Sequence, residues 1–292
     1  MGIRDYVRAT ARKVLGVQTT KRLGRYFHKT LPNARSYCDL LRGKEGLEIG
    51  GPSNTFSDEG FLPVYQYLKS LDNCLFSSST IWAGRVAEGG TFAFHPSKAM
   101  GNQIVCEASN LAPVANESYD CVLACHCLEH LANPLRALDD WKRVLRPNGL
   151  LLLILPHHEG TFDWRRPVTT LEHMISDLKN CTKEDDMTHL AEIVELHDLN
   201  RDRLAGSKEQ FRERCLDNFA KRAMHHHVFD TPSAIEMLDH ANFQILRVEN
   251  MKPYQIVIIA KRPEAQSNNA EFLTPNATYR RKSPFLSDRR KS

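Results

Sequence analysis

At 292 residues, 41% of them apolar, the chain is long enough for one large domain with an insertion or with tails, and its composition excludes a disordered polymer. No apolar run reaches the roughly 18 residues of a membrane span. The basic N-terminus is followed by no apolar segment of the kind a secretory signal carries, so a cytoplasmic location is expected. The net charge of +4 is unevenly spread: residues 1–44 carry eleven Lys/Arg against Asp5 and Asp39, and the tail from 265 is also basic, so the body between them is acidic. An acidic body argues against a nucleic-acid groove around a central site. The basic arm is read as a solvated helix face, with weak contact to a membrane surface or an acidic protein as its alternative use.

In chain order, residues 1–44 read as a helical arm, with apolar positions at Tyr6, Val7, Val14, Leu15, Leu23 and Phe27. From Gly46 short apolar runs bounded by Gly, Pro and Asn predict strands near 46–50, 66–71, 103–106, 119–124, 149–155, 243–250 and 254–261, with helices near 134–146 and 232–241. Strand, helix, strand in succession predicts an α/β fold with a mostly parallel sheet. The last two strands, joined by Met251-Lys252-Pro253, predict an antiparallel hairpin at the C-terminal edge. The domain is expected over 45–262, with residues 157–230 as a cap insertion over the substrate side and 263–292 as a disordered basic tail. The eight cysteines form no CxxC pair and are read as reduced thiols.

The most informative segment is Gly46-Leu47-Glu48-Ile49-Gly50-Gly51-Pro52-Ser53. A strand ending in glycine lets backbone amides approach a ligand with no Cβ in the way, and ligands of open α/β sheets bind beyond the carboxyl ends of the strands. Asp72 follows the second expected strand, where a carboxylate can accept both ribose hydroxyls of a nucleoside. Glu107-Ala108 closes the third, and Tyr119-Asp120-Cys121-Val122, Leu128-Glu129-His130 and Val144-Leu145-Arg146-Pro147-Asn148-Gly149 follow in order. No G-x-G-x-x-G or phosphate-binding G-x-x-x-x-G-K-[ST] is present.

This succession, over about 45–156, resembles the class I S-adenosylmethionine-dependent methyltransferases of the type 11 kind. The resemblance implies a Rossmann-like doubly wound sheet and S-adenosyl-L-methionine as cofactor. By position it implies that Glu48, Gly50 and Gly51 line the methionine part, Asp72 the ribose, Glu107 with Ala108 the adenine edge, and His126 the closing wall. Pro52 departs from the usual G-x-G, and Ser53 or Asn54 is expected to supply a replacement contact. The insertion phrase is similar to bacterial methyltransferases found with genes of surface-polysaccharide assembly. It implies O- or N-methylation of a small-molecule or saccharide-type acceptor.

For a base, the sequence offers His130, His157 directly after the fifth strand, and His226 or His227 of a triple histidine. Adjacent histidines point different ways, so a metal at the triplet is not expected. Asp163, Arg165, Arg166 and His197 are candidate substrate contacts. A binding module that keeps the fold, lacks catalysis and docks a partner through its basic arm is the competing reading.

Overall fold

The computed structural model describes residues 30–80, 83–202 and 204–289, so most of the basic arm, residues 1–29, lies outside the described residues. Helix α1 (Ala34–Leu41) leads into β1 (Glu45–Ile49), β2 (Ser70–Leu75), the small pair β3 (Ser79–Thr80) and β4 (Gly84–Arg85), β5 (Gly89–Phe92), β6 (Gly101–Val105) and β7 (Tyr119–Cys125). Helix α2 (Pro134–Val144) crosses to β8 (Leu145–Pro156). The cap carries α3 (Leu171–Asn180), α4 (Leu190–Leu196), α5 (Lys208–Leu216) and α6 (Asn218–Lys221). The chain returns through α7 (Thr231–His240), β9 (Gln244–Met251) and β10 (Gln255–Lys261), and closes with α8 (Ala270–Leu273), α9 (Thr278–Lys282) and α10 (Leu286–Arg289).

Eight strands form one sheet in the order β5-β6-β2-β1-β7-β8-β10-β9. Its centre, from β6 to β8, is parallel. Strand β10 runs antiparallel between β8 and β9, and β5 adds a short antiparallel strand at the other edge. The expected α/β architecture and C-terminal hairpin are therefore present. The order reverses between β1 and β7, which opens the crevice where open α/β sheets bind ligands. Central strands such as β8, with Leu150 to Leu155 all buried, are apolar on both faces because both faces are covered. One face packs α2 and α7 around Trp141, Leu138 and Ile235, and the other packs α1 around Tyr37 and Leu41. Helix α2 begins where Asn133 caps it, its side chain accepting from the Arg136 amide, with Pro134 in the first turn.

Two expectations fail. The strand expected near 66–71 starts later: Tyr65–Tyr67 forms a 3-10 turn after Pro63, and β2 begins only at Ser70. Tyr65 is drawn into the core by stacking edge-on against Phe56 and Phe94. The tail from 263 is not disordered through residue 289. Asn269 donates to Asp239 and Phe243 and accepts from the Ile245 amide, and Phe285 and Asp288 are fully buried. Composition suggested disorder because the polar residues of this segment are read one by one, while in the fold they are hydrogen-bonded partners.

No helix among the described residues is long and apolar enough to cross a membrane.

Candidate active site

The carboxyl ends of β1, β2, β7 and β8 surround a cavity of about 440 Å³, roofed by the cap through Phe162, Arg201, Asp202 and Arg222. That volume suits a cofactor-sized ligand. Gly50 forms its rim with φ +81°, a conformation that L side chains rarely adopt. A second hollow of about 570 Å³ lies on the other flank of the same glycine turn, but it holds none of the site's histidines.

Under this turn sits Glu48, fully buried. Its carboxylate accepts from the Tyr65 hydroxyl at 2.7 Å and the Ser53 amide at 3.1 Å, and burial pushes its pKa up to about 7. Asn73 fixes the turn from below, accepting from the Gly51 amide and donating to the Gly51 carbonyl. Glu48 and Ser53 thus brace the loop and are not among the residues lining the cavity. A Cβ at Gly51 would overlap the Glu48 carboxylate, which Tyr65 and Ser53 prevent from moving. Gly51→Ala is expected to lower stability by about 1–3 kcal/mol, read as the shift in the urea midpoint. An unchanged midpoint would show that the loop has room the structure does not give it.

Asp72 is a correction. Because β2 runs to Leu75, Asp72 lies mid-strand, where it accepts from the Asn102 amide at 2.7 Å and the Tyr119 hydroxyl at 2.8 Å. The end of β2 presents Cys74, Leu75 and Phe76 to the cavity, so no carboxylate stands where the ribose contact was expected. Ala108 and His126 do line the cavity. Glu107 forms a two-point ion pair with Arg222 (2.5 and 3.2 Å), whose guanidinium also lies 4.8 Å from the Phe76 ring centre. His126 donates to Gln255 at 2.8 Å, and burial lowers its pKa to about 4.

Of the proposed bases, His157 is another correction. It is fully buried beneath the C-terminal segment, stacked 3.8 Å from the Phe285 ring and 3.2 Å from Asp288, away from the cavity. His226 and His227 also point elsewhere: His226 meets Asn218 at 3.1 Å, and His227 faces α3. Burial lowers both, His226 to about 4. His130 does reach the cavity, its Nδ1–H donating to the Met224 carbonyl, and burial holds its pKa well below the ordinary value.

The residue the sequence reading passed over is His225. It lines the cavity, and its Nδ1–H donates to Asp163 at 2.5 Å. Burial alone would lower the His225 pKa, but the Asp163 carboxylate outweighs it and raises it. Asp163 is in turn held below its usual range: burial opposes this, and His225 and Arg166 overcome it. Glu129, which the sequence offers beside His130, lines the same wall; burial pushes it up to about 7, and its Oε2 has no hydrogen-bond partner. Donor atoms of Glu129, His130 and His225 lie within 4.8 Å of one another. Among the other expected substrate contacts, Arg166 is buried against Asp163, Glu192 and the His225 carbonyl. Arg165 is exposed over Trp164, and His197 stacks on Phe211 at 3.9 Å, with Asp202 at 3.2 Å. Asp163 therefore acts on the cavity through His225, while Arg165, Arg166 and His197 do not line it.

A family model described as a methyltransferase domain matches residues 90–153. No curated protein matches the chain. Among solved structures, the chain is similar to an S-adenosylmethionine-dependent methyltransferase from Mesorhizobium loti (13% identity, 79% of this chain and 96% of that one, TM-score 0.46). It is also similar to a SAM-dependent methyltransferase from Methanosarcina mazei (15%, 81% and 99%, 0.43). A third is the Burkholderia thailandensis 1,6-didemethyltoxoflavin-N1-methyltransferase solved with its substrate and S-adenosylhomocysteine (11%, 90% and 92%, 0.43). Residues 90–153 carry the match to a methyltransferase domain, and methyltransferase activity with S-adenosylmethionine as cofactor is what that match supports. The Gly50 rim and the cavity at the strand ends fit that cofactor, while Asp72, Glu48 and Ser53 stand away from the contacts expected of them.

Proposed function

We propose that the enzyme methylates an oxygen or nitrogen of a small polar acceptor, saccharide-type in chemistry, with His225 as the general base. The observation that supports this most is the Asp163–His225 pair on the cavity wall: a carboxylate orients one ring nitrogen and leaves the other basic once the ring is neutral. The bound cofactor supplies an activated methyl group on a sulfonium, and the chain supplies position and proton removal. Gly50 would leave room for its methionine part, and Leu75, Phe76 and Ala108 would form an apolar wall for its base, with Arg222, held by Glu107, beside it. Glu129 and His130 would hold the acceptor hydroxyl against His225. Phe162 and Tyr254 would keep water out, and Asp202 with Arg201 at the roof offers the charged and polar contacts a saccharide takes. Glycan-linked acceptors are the finer reading, and they rest on the resemblance of the insertion phrase.

The test is release of S-adenosylhomocysteine in the presence of sugar nucleotides, free sugars and non-sugar small hydroxyl compounds. Turnover is expected with the sugar class. Turnover confined to the non-sugar compounds overturns the saccharide reading. Binding of S-adenosylhomocysteine in calorimetry with no turnover on either class favours the non-catalytic module.

A further inference from the structure

Outside the cavity, the cap gathers a second set of donors. His173 on α3 places Nε2 at 3.1 Å from His189 Nε2 and 3.3 Å from Asp177 Oδ2, one turn further along the same helix. His227 Nε2 approaches Asp177 Oδ2 at 3.8 Å from the irregular segment that re-enters the core. The donor atoms of His173, Asp177 and His227 lie within 4.8 Å of one another. We propose that His173, Asp177 and His227, with His189 as the nearest further donor, bind a zinc-type divalent ion that clamps the cap to the core.

Three observations converge. Zinc–nitrogen and zinc–oxygen bonds of about 2.0–2.1 Å put tetrahedral donors about 3.3 Å apart, and Asp177 Oδ2 lies 3.3 Å from His173 and 3.8 Å from His227. Hydrogen bonding does not satisfy the group. Asp177 Oδ2 and His227 Nδ1 are buried with no hydrogen-bond partner, and the contact of His227 Nε2 with the Ala132 carbonyl is long at 3.4 Å. Two imidazole nitrogens face each other at 3.1 Å, where at most one proton can lie between them. The chemistry of the set agrees as well: imidazole and carboxylate donors suit zinc. The triple histidine does not chelate as a unit. His227 alone joins this site, while His225 lines the cavity.

The clamp gives α3 a fixed position on the segment that carries His225, so it would set the roof of the active site without touching the acceptor. It makes no use of the methyl-transfer proposal, and its test does not either. The full-length protein, stripped with EDTA and dialysed, is titrated with zinc chloride and, in parallel, with cobalt(II). One equivalent of either is expected to bind, with a raised thermal midpoint and the intense visible absorption of tetrahedral cobalt. His173→Gln, at a partly exposed position, and Asp177→Asn, which keeps the side-chain shape, are expected to fold, to lose stoichiometric binding and to lose the metal-dependent rise in midpoint. His95→Gln, remote from the cluster, is expected to bind as wild type does. Failure of the stripped wild type to bind either ion, or wild-type binding by both ligand variants, overturns the site.

Discussion

His225→Ala is expected to lower kcat by about 10²–10⁴-fold, the usual contribution of a positioned base, while S-adenosylhomocysteine binds with unchanged affinity. The companion variant separates base chemistry from mere positioning. A base works deprotonated, so kcat/KM should rise with pH through the His225 pKa, which Asp163 holds above the ordinary imidazole value. Asp163→Asn keeps the side-chain shape but removes the charge that opposes burial. The ascending limb should then move to lower pH, while the plateau falls because the ring is less firmly oriented. A limb that stays in place, or moves up, would remove His225 from the proton path. Arg166 keeps Glu192 at 2.8 Å in this variant, so the charge left behind is not stranded.

How far the sequence reveals this site depends on a four-residue slip. The glycine turn, the order of the strands and the position of Ala108 follow from periodicity and turn chemistry, which are local. The ribose contact depended on where β2 stops, and the aromatic run Tyr65–Tyr67 carries a strand-like composition into a 3-10 turn that is stabilised by contacts with Phe56 and Phe94. Moving the strand from 66–71 to Ser70–Leu75 carries Asp72 from the strand's end to its middle. The base escaped for another reason. His225 and Asp163 are 62 positions apart, and nothing in the chain between them signals that the cap folds one onto the other. Of three adjacent histidines, alternation of side-chain direction shows that they diverge, but not which one faces the cavity.

The same limit hid the role of His157, and it yields the second large effect. Asp288 is fully buried and accepts from His157, the Thr231 amide and hydroxyl, Asn250 and Ser283. Five donors on one carboxylate join the tail to β8, α7 and β9, and Phe285 fills the space against the His157 ring. Asp288→Ala leaves those donors buried without their acceptor, so it should cost about 3–5 kcal/mol. For a chain of this size that is a drop of roughly 10 °C in thermal midpoint. His157→Ala should cost about 2–5 kcal/mol through the cavity it leaves, yet keep kcat within a few-fold once folded. Burial alone would raise the Asp288 pKa, but the hydrogen bonds from His157, Ser283 and Thr231 outweigh it and hold it below the ordinary value. Its stabilising contribution is therefore complete above the ordinary carboxylate pKa and is lost as pH falls through the folded value. Asp288→Asn should accordingly flatten the acid limb of the stability curve as well as lower its plateau. A kcat that collapses in His157→Ala while the midpoint holds would return His157 to the reaction, and the tail would then be a cover without structural weight.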